Sequence, residues 1–281
     1  AAFSYCTRLS TIAVDALNPA YSSMDGVLFN QSRTTLIQCP EGKAGIYLVP
    51  NSVTSIGGGA FSYCVSLTSV TLPNSVASIG DSVFAHCASL TNVAIPSSVT
   101  NIGNGAFAYC IHLGNVTIPN SVTSIGNQAF IYCTSLSRVT IGNGATSIDG
   151  GAFGFCPSLA GVYFQGNAPS DGFPFSYNAV NLTVYYLPGS AGWGATFGGV
   201  PTALWQPQVQ TSDDSFGVRT NQFGFNMTWA SGQAVVVEAA TNLLSPIWSP
   251  LQTNTLTTGA SYFSDPQWTN YPNRFYRLRS P

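Results

Sequence analysis

A tandem 23-residue repeat constrains this chain more than any other feature of its sequence. Cysteine recurs at that interval, at Cys64, Cys87, Cys110, Cys133 and Cys156. Three more columns hold the same register: Phe61, Phe84, Phe107, Phe130 and Phe153; Ile56, Ile79, Ile102, Ile125 and Ile148; and Leu67, Leu90, Leu113, Leu136 and Leu159. A unit this short cannot bury its apolar face alone. The repeat therefore predicts a solenoid in which stacked units share one continuous core.

The unit from Leu90 to His112 shows the pattern within one repeat. The L-x-x-V-x-I spacing across Leu90–Ile95 predicts a short strand with one buried face. A second extended piece is predicted at Val99–Ile102, and the apolar spacing within Ala106–Cys110 predicts a brief helical turn. The predicted fold class is therefore mainly β, with short parallel strands joined by short helical turns.

The string S-V-T-S-I-G-x-x-A-F-x-x-C-x-S-L-x-x-V-x-I-P resembles the BspA-type leucine-rich repeat of bacterial surface proteins. The resemblance covers residues 1–204: a long variant unit at 9–45 with a hairpin-like part, regular units at 46–158, and degenerate or closing units at 159–204. It implies a leucine-rich-repeat solenoid. It also implies a secreted or surface protein involved in adhesion and protein binding, although one fold serves many functions.

After Trp205 the repeat register is lost and a different pattern begins. Pro207 and the polar residues after it predict a linker at 205–215. Short β-like segments separated by turn residues predict a small β-sandwich-like module at 216–281. This part resembles the C-terminal modules of some secreted bacterial proteins. The predicted strands are Phe223–Trp229, Ala234–Ala239, Trp248–Gln252, Ser261–Phe263 and Arg274–Leu278.

Charge is scarce throughout the chain. Asp, Glu, Lys and Arg make up 6% of the 281 residues, the net charge is −2, and Lys43 is the single lysine. This composition argues against binding to nucleic acid or to an anionic membrane surface. No apolar run approaches the ~20 residues of a transmembrane helix. So few charges also offer little electrostatic repulsion against self-association.

Sequence motifs for catalysis, metal binding or cofactor binding are absent. The chain has no Cys-x-x-Cys pair, no Gly-x-x-x-x-Gly-Lys phosphate loop and no Gly-x-Ser-x-Gly elbow with partners. Its two histidines, His86 and His112, are expected at solvent-facing positions. We therefore predict no cofactor and no metal site, and an enzyme is the least favoured class of function.

The cysteine column admits two interpretations. It could be a thiol ladder that forms disulfides or binds metal, or each cysteine could act as a small buried hydrophobic residue. Neighbouring rungs ~4.7–4.9 Å apart would fall inside the ~4.4–6.8 Å Cα range of a disulfide. Stacked identical positions have parallel Cβ vectors, however, whereas a disulfide needs them to converge, and this favours buried free thiols. Cys6 is expected to join the column, and the sequence does not place Cys39.

The strand face that points away from the core is the surface on which leucine-rich repeats often bind ligands. Its residues are small and mostly uncharged, apart from Arg138 and Tyr163 at one end. A plain solvated sheet face and a weak protein-binding surface both fit this composition. The predicted protein-binding residues are Ser69, Thr71, Asn92, Asn115, Thr117, Arg138, Thr140 and Tyr163.

The array begins in mid-unit, at AAFSYC. Either earlier repeats have been removed, or another copy completes this end and produces an open head-to-tail filament. In the second case an added strand would supply the hydrogen bonds that an exposed rung lacks. The arginine-rich C-terminal strand is one candidate, although its arginines also fit an edge strand protected by charge. The predicted self-assembly residues are Ala1, Ala2, Phe3, Tyr5, Leu9, Arg274, Tyr276, Arg277 and Arg279.

Three classes of function follow, in order of preference. The first is a non-enzymatic extracellular or cell-surface structural protein that binds copies of itself and forms a filament or surface layer. The second is a cell-surface adhesin or protein-binding module that uses the concave solenoid face, with extracellular proteins or matrix as partners. The third is an enzyme.

Overall fold

The computed structural model describes residue 3 and the ranges 6–178 and 181–281. The chain divides into two compact units, Ala1–Ala203 and Leu204–Pro281, which we call the solenoid and the module. Both consist of strands and turns, and the one helix among the described residues is a short 3-10 helix at Trp268–Asn270. The predicted mainly-β fold class is confirmed.

A hairpin opens the solenoid. Strands β1 (Tyr21–Met24) and β2 (Val27–Asn30) pair antiparallel. Asp25 and Gly26 connect them with φ values of 51° and 77°, as a tight Asp-Gly hairpin turn requires. Strand β3 (Thr35–Gln38) pairs antiparallel with β2 and parallel with β5 (Ser55–Ile56), so the hairpin leads directly into the repeats.

Each regular unit then contributes one longer and one shorter strand. The longer strands are β4 (Gly45–Leu48), β6 (Leu67–Thr71), β8 (Asn92–Ala94), β10 (Asn115–Ile118), β12 (Arg138–Ile141), β14 (Gly161–Phe164) and β16 (Thr183–Tyr186). The shorter strands after β5 are β7 (Ser78–Ile79), β9 (Asn101–Ile102), β11 (Ser124–Ile125), β13 (Ser147–Ile148) and β15 (Ser170–Asp171). The last unit closes with β17 (Thr196–Phe197) and β18 (Val200–Leu204), which pair antiparallel.

The repeat interval sets the register of the parallel strands. Val116 pairs with Val139, and Val139 pairs with Val162, so each column of the sequence becomes a column in space. The phenylalanine column stacks in the same way: the ring centroid of Phe107 lies 5.2 Å from that of Phe84 and 4.9 Å from that of Phe130. These side chains are fully buried and form the continuous core that the repeat predicts.

The turn segment of each unit is not helical, which differs from the helical turn predicted within Ala106–Cys110. The N–H group of Phe107 donates to the carbonyl of Ala129 in the next unit, at 2.7 Å. Tyr109 has a φ of 60°, a left-handed conformation that a right-handed helix cannot include. Hydrogen bonds between stacked units therefore replace the hydrogen bonds of a helix.

The module contains two antiparallel sheets. One consists of β19 (Gln208–Gln210), β20 (Gly217–Arg219), β21 (Gln222–Thr228) and β24 (Ala260–Asp265), and the other of β22 (Ala234–Ala240), β23 (Ser249–Thr255) and β25 (Phe275–Arg279). The stretch predicted as a linker contributes β19, which pairs with β21, and the buried side chain of Trp205. That stretch is therefore part of the module, because β19 pairs with β21 and the carbonyl of Trp205 accepts a hydrogen bond from the indole N–H group of Trp229 at 2.7 Å.

Candidate binding surfaces

The predicted protein-binding residues lie on one face of the longer strands. In the paired registers Ser69 lies beside Asn92, and Thr140 lies beside Tyr163. These side chains are exposed or half-buried, whereas valines between them point into the core. The full set on this face is Ser69, Thr71, Asn92, Asn115, Thr117, Arg138, Thr140 and Tyr163. The structure brings these residues together, and their role in binding stays a prediction.

Arg138, Tyr163 and Tyr185 form a stacked group that we call the arginine–tyrosine cluster. The guanidinium carbon of Arg138 lies 3.7 Å from the centroid of the Tyr163 ring. On the neighbouring strand the Tyr185 ring stacks on Tyr163, with centroids 4.7 Å apart and 10° between the planes. Because β12 and β16 flank β14 on opposite sides, the Tyr163 ring is held from both directions. Arginine and tyrosine are among the residues most enriched at binding hot spots.

Gly161 explains why the Tyr163 ring adopts this position. A Cβ atom at residue 161 would lie 2.7 Å from Cε2 and 2.9 Å from Oη of Tyr163, so the ring lies directly over the glycine. Gly161 pairs with Arg138 on the neighbouring strand, which brings the ring to the guanidinium group. Sequence analysis missed Gly161 and Tyr185. The interval from Tyr163 to Tyr185 is shorter than the repeat, so Tyr185 falls outside the regular columns.

A second feature that sequence analysis missed is a ladder of stacked aromatic rings on the turn segments. We call it the aromatic ladder. Consecutive ring centroids lie 4.4–4.7 Å apart, and their planes differ by at most 18°. Its members are Tyr63, His86, Tyr109, Tyr132, Phe155 and Tyr177. The first five share the repeat interval, so this column is visible in the sequence.

His86 belongs to the aromatic ladder and is half-buried, contrary to the prediction of a solvent-facing position. Its ring lies between those of Tyr63 and Tyr109, with centroid distances of 4.4 Å on each side. Burial lowers the pKa of His86 below its ordinary value of 6.5. His112 is exposed as predicted, and its Nδ1 lies 2.6 Å from the carbonyl oxygen of Ala88.

The cysteine column consists of buried free thiols, as the geometry of stacked positions predicts. The Sγ atom of Cys110 lies 3.2 Å from the carbonyl oxygen of Phe84, and that of Cys133 lies 3.2 Å from the carbonyl oxygen of Phe107. Burial raises the pKa of Cys156 to about 12 and raises the pKa values of Cys110 and Cys133 well above normal. These thiols stay protonated at neutral pH, so they are not activated nucleophiles.

The two remaining cysteines occupy different environments. Cys6 is exposed and does not join the column, contrary to the prediction. Cys39 is buried next to Cys64: the Sγ atoms of Cys39 and Cys64 lie 3.8 Å and 3.6 Å from the same carbonyl oxygen, that of Pro40. Cys39 therefore extends the column by one rung. The sequence hid this because the interval between the two cysteines is longer than the repeat.

The C-terminal arginines predicted for self-assembly are paired within the module. Arg277 and Arg279 lie 2.7 Å and 2.8 Å from the two carboxylate oxygens of the buried Glu238. The Nε atom of Arg274 lies 2.5 Å from Oδ2 of the buried Asp265. These ion pairs connect β25, and Arg274 directly before it, to the rest of the module. The arginines therefore have a structural role whether or not the strand also docks.

The other predicted self-assembly residues lie mostly at the N-terminus. Ala1, Ala2 and Tyr5 lie outside the described residues. The carbonyl of Leu9 accepts a hydrogen bond from the N–H group of Gly42 at 2.8 Å. Phe3 lines a mainly apolar cavity of about 740 Å³, together with Ile12, Leu28 and Ile37. In the module, the Tyr276 hydroxyl donates to Asp265 at 2.9 Å.

Within 6–178 and 181–281, no group of three or more His, Cys, Asp and Glu side chains is arranged to hold a metal ion. Among the described residues, no helix has the length and apolar character needed to cross a membrane.

Residues 46–160 match the sequence profile of the BspA type leucine rich repeat region, in six copies. A comparison with curated proteins found no significant match. The solved structures similar to this chain include a leucine rich cell surface protein from Faecalibacterium prausnitzii, with 35% sequence identity and a TM-score of 0.56, covering 59% of this chain and 44% of that one.

Two further solved structures resemble the solenoid. A leucine-rich repeat protein from Eubacterium ventriosum has 26% identity and a TM-score of 0.53, covering 56% of this chain and 42% of that one. The pneumococcal vaccine antigen PcpA has 21% identity and a TM-score of 0.57, covering 64% and 45%, which establishes likeness of fold. The chain thus spans less than half the length of each. Residues 46–160 are a leucine-rich repeat region, and the solenoid is similar to those of bacterial surface proteins.

Proposed function

Because residues 46–160 match the BspA-type leucine-rich repeat, we propose that this chain is an extracellular, non-enzymatic protein-binding module. Its partner would present an extended, acidic segment to the exposed face of the longer strands. The arginine–tyrosine cluster would anchor that segment. Similarity to a bacterial cell surface protein supports an extracellular location.

The observation that carries this proposal is the preformed arrangement of the cluster. Arg138 stacks on Tyr163, and Tyr163 stacks on Tyr185, before any partner binds. Ordering a flexible side chain on binding costs about 0.5–1.5 kcal/mol, so a preformed cluster avoids much of that loss. A guanidinium group stacked on a ring directs its N–H groups sideways, in the plane where a carboxylate accepts them.

The rest of the face suits an extended peptide. Asn115 and Thr117 on β10 and Thr140 on β12 are uncharged hydrogen-bonding side chains. They offer donors and acceptors to a peptide backbone and impose no charge requirement along its length. The single charge at Arg138 would then determine the position and direction of an acidic segment.

Panning of a phage-displayed library of random peptides against the full chain tests the proposal. We expect the enriched peptides to be rich in Asp and Glu. We expect Arg138→Ala to weaken their binding about tenfold, which corresponds to about 1.4 kcal/mol. A library without enriched peptides, or peptides that bind the Arg138→Ala chain equally well, would overturn the assignment.

Two glycine variants provide a matched comparison. In Gly161→Ala the new methyl group would displace the Tyr163 ring, so we expect weaker peptide binding although every member of the cluster is still present. In Gly114→Ala the methyl group would meet no atom within 4 Å, so we expect unchanged binding. Equal binding by the two variants would show that the ring position is irrelevant.

A second candidate function is head-to-tail self-association, favoured by two apolar surfaces on different units. The cavity of about 740 Å³ in the solenoid is lined by Ile12, Leu28 and Ile37. In the module, Leu244 is 97% exposed and Ile247 is 83% exposed. If this loop of one copy fills the cavity of the next, the contact is heterologous and extends into an open filament. The paired C-terminal arginines are not needed for it.

Light scattering of the full chain over a range of concentrations tests this second function. We expect molar mass to rise with concentration, and we expect Leu244→Asp to reduce that rise. Val218→Asp is a matched control, because Val218 is 53% exposed elsewhere in the module. A monomer at every concentration, or polymers unaffected by Leu244→Asp, would overturn it.

A further inference from the structure

The last regular turns of the solenoid form a small pocket that has aromatic side chains in its walls and glycines in its floor. Its volume is about 330 Å³, at the lower end of the ~300–1,000 Å³ range of small-molecule sites. Ile131, Phe155, Phe173 and Tyr177 contribute apolar and aromatic surface. We call it the glycine pocket, after Gly150, Gly151 and Gly154 in its lining.

Three glycines create the floor of this pocket where the preceding unit carries side chains. Gly150, Gly151 and Gly154 occupy the positions that Asn127, Gln128 and Ile131, respectively, occupy in the preceding unit. No Cβ atom covers the backbone at Gly150 and Gly151, which are half-buried, whereas Gly154 is buried beneath the pocket. The preceding unit, with its larger side chains, becomes one wall.

The aromatic wall is more exposed than aromatic side chains in a core. Phe173 is 71% exposed and Tyr177 is 79% exposed. Tyr177 is the last ring of the aromatic ladder described above, and it stacks on Phe155 with centroids 4.6 Å apart. Interior rings of the ladder have neighbours on both faces, whereas Tyr177 stacks at one face on Phe155 within the described ladder. Phe173 and Tyr177 have backbone φ values near 60°, at 57° and 59°.

The polar groups of the pocket are neutral amides, hydroxyls and carbonyls. The Asn127 amide donates to the carbonyl oxygen of Gly150 at 2.8 Å, which fixes its orientation. The Ser176 hydroxyl lies 3.4 Å from the carbonyl oxygen of Phe173. The exposed side chain of Gln128 adds a further amide. None of the lining side chains carries a charge, so the pocket has no group that would select an ionic ligand.

We propose that the glycine pocket binds a neutral saccharide. One face of a sugar ring carries C–H groups with partial positive charge, which suit the negative face of an exposed aromatic ring. Its hydroxyl groups both donate and accept, which matches the side-chain amides and the hydroxyl of the pocket. An anionic or cationic ligand would lose its hydration without a compensating charge. The pocket is large enough for a mono- or disaccharide, and this proposal does not depend on the protein-binding function.

Saturation-transfer NMR on the full chain tests this, with maltose, cellobiose, lactose and N,N′-diacetylchitobiose as neutral probes and sialyllactose as an anionic one. We expect at least one neutral sugar to receive saturation at its ring C–H protons, and Tyr177→Ala to weaken that binding at least tenfold. Binding of none of the neutral probes, or of sialyllactose alone, would overturn the proposal.

Gly151→Gln is the sharper variant, because it places in the pocket the residue that the preceding unit already carries at the same position. Gln128 has a φ of 55° and Gly151 a φ of 63°, so glutamine is compatible with this backbone. We expect the variant to fold and to lose sugar binding. Gly105→Gln, at the equivalent position two units earlier with a φ of 57°, is the matched control and should bind normally. Equal binding by both variants would contradict the pocket assignment.

Arg138→Ala separates this site from the proposed protein-binding face. We expect it to leave sugar binding unchanged while it weakens peptide binding. Loss of sugar binding in Arg138→Ala would place the sugar on the strand face and would contradict the glycine pocket.

Discussion

The solenoid and the module solve the problem of a stable core in different ways. In the solenoid, equivalent residues of successive units stack on one another, as the phenylalanine rings and the valines do. Each buried thiol of the regular column lies against a backbone carbonyl group, as the thiol of Cys110 does at the carbonyl oxygen of Phe84. In the module, two buried carboxylates, Glu238 and Asp265, connect strands through arginines. Repetition lets the solenoid specify its register through stacked equivalent side chains, whereas a non-repeating sheet gains register from specific polar pairs.

The two units also differ in how they use charged side chains. The solenoid places few charges on its strand face, and Arg138 is the one basic residue among the predicted binding residues there. A basic residue on a largely uncharged strand face can orient an acidic partner. Substitutions that destabilise one unit at a time, through its stacked core or through its ion pairs, test this comparison of the solenoid with the module.

The largest effect is expected from Phe107→Ala. Phe107 is fully buried between Phe84 and Phe130, so its removal leaves a cavity in the middle of the column. Such a truncation costs about 3–5 kcal/mol. Urea denaturation measures the loss, and hydrogen exchange should place it in the solenoid while exchange in the module is unchanged. A loss below about 1 kcal/mol would mean that the stacked core is not what stabilises the solenoid.

A smaller effect is expected from Glu238→Gln in the module. The substitution removes the charge that Arg277 and Arg279 share, and hydrogen bonds to charged groups contribute about 1.5–3 kcal/mol. Partial exposure of both arginines reduces this, so we expect about 1–2 kcal/mol. Tryptophan fluorescence reports it, because four of the five tryptophans, Trp205, Trp229, Trp248 and Trp268, lie in the module.

Asp214→Asn controls for the loss of a carboxylate, since Asp214 is exposed. The pH dependence provides a second check. Hydrogen bonding from Arg279 is the main cause that lowers the pKa of Glu238 below its ordinary 4.5. The stabilisation is therefore complete above that value and is lost as the pH falls through the lower folded pKa. Acid sensitivity that persists unchanged in Glu238→Gln would contradict this role.

The smallest effect is expected from His86 in the aromatic ladder. Because burial lowers its pKa below 6.5, the unfolded chain binds this proton more readily than the folded chain. The contribution of neutral His86 to the stability of the solenoid should therefore be complete above pH 6.5, and a small part of it should be lost as the pH falls below that value. Thermal melting at several pH values checks this. His86→Tyr, which restores the residue of the neighbouring units, should remove the dependence, and the same slope in this variant would contradict the assignment.

Regular repetition also determines which features of the solenoid can be predicted from the sequence alone. The columns of Phe107 and Cys110 predicted the core, because a constant interval forces equal residues to the same depth. Arg138 and Tyr163 were predicted on the correct face for the same reason. Tyr185 and Gly161 could not be found this way, since the last unit changes length and since the role of the glycine depends on where one ring lies.

The turn segments show a second limit of sequence analysis. Helical spacing within Ala106–Cys110 predicted a helical turn, yet Phe107 donates its N–H group to the next unit. Local periodicity cannot reveal a hydrogen bond between units, because the acceptor, the carbonyl of Ala129, lies far outside the local window. The aromatic ladder keeps the repeat interval, but it is not a column of one residue type, because His86 and Phe155 interrupt its tyrosines.

The affinity of an enriched acidic peptide for Tyr185→Ala and Tyr109→Ala variants, measured by isothermal titration calorimetry, tests the central claim most directly. Both substitutions remove one stacked tyrosine, one from the arginine–tyrosine cluster and one from the aromatic ladder. The strand-face account predicts about tenfold weaker binding to Tyr185→Ala, or about 1.4 kcal/mol, and unchanged binding to Tyr109→Ala. Weaker binding to Tyr109→Ala with full binding to Tyr185→Ala would contradict it.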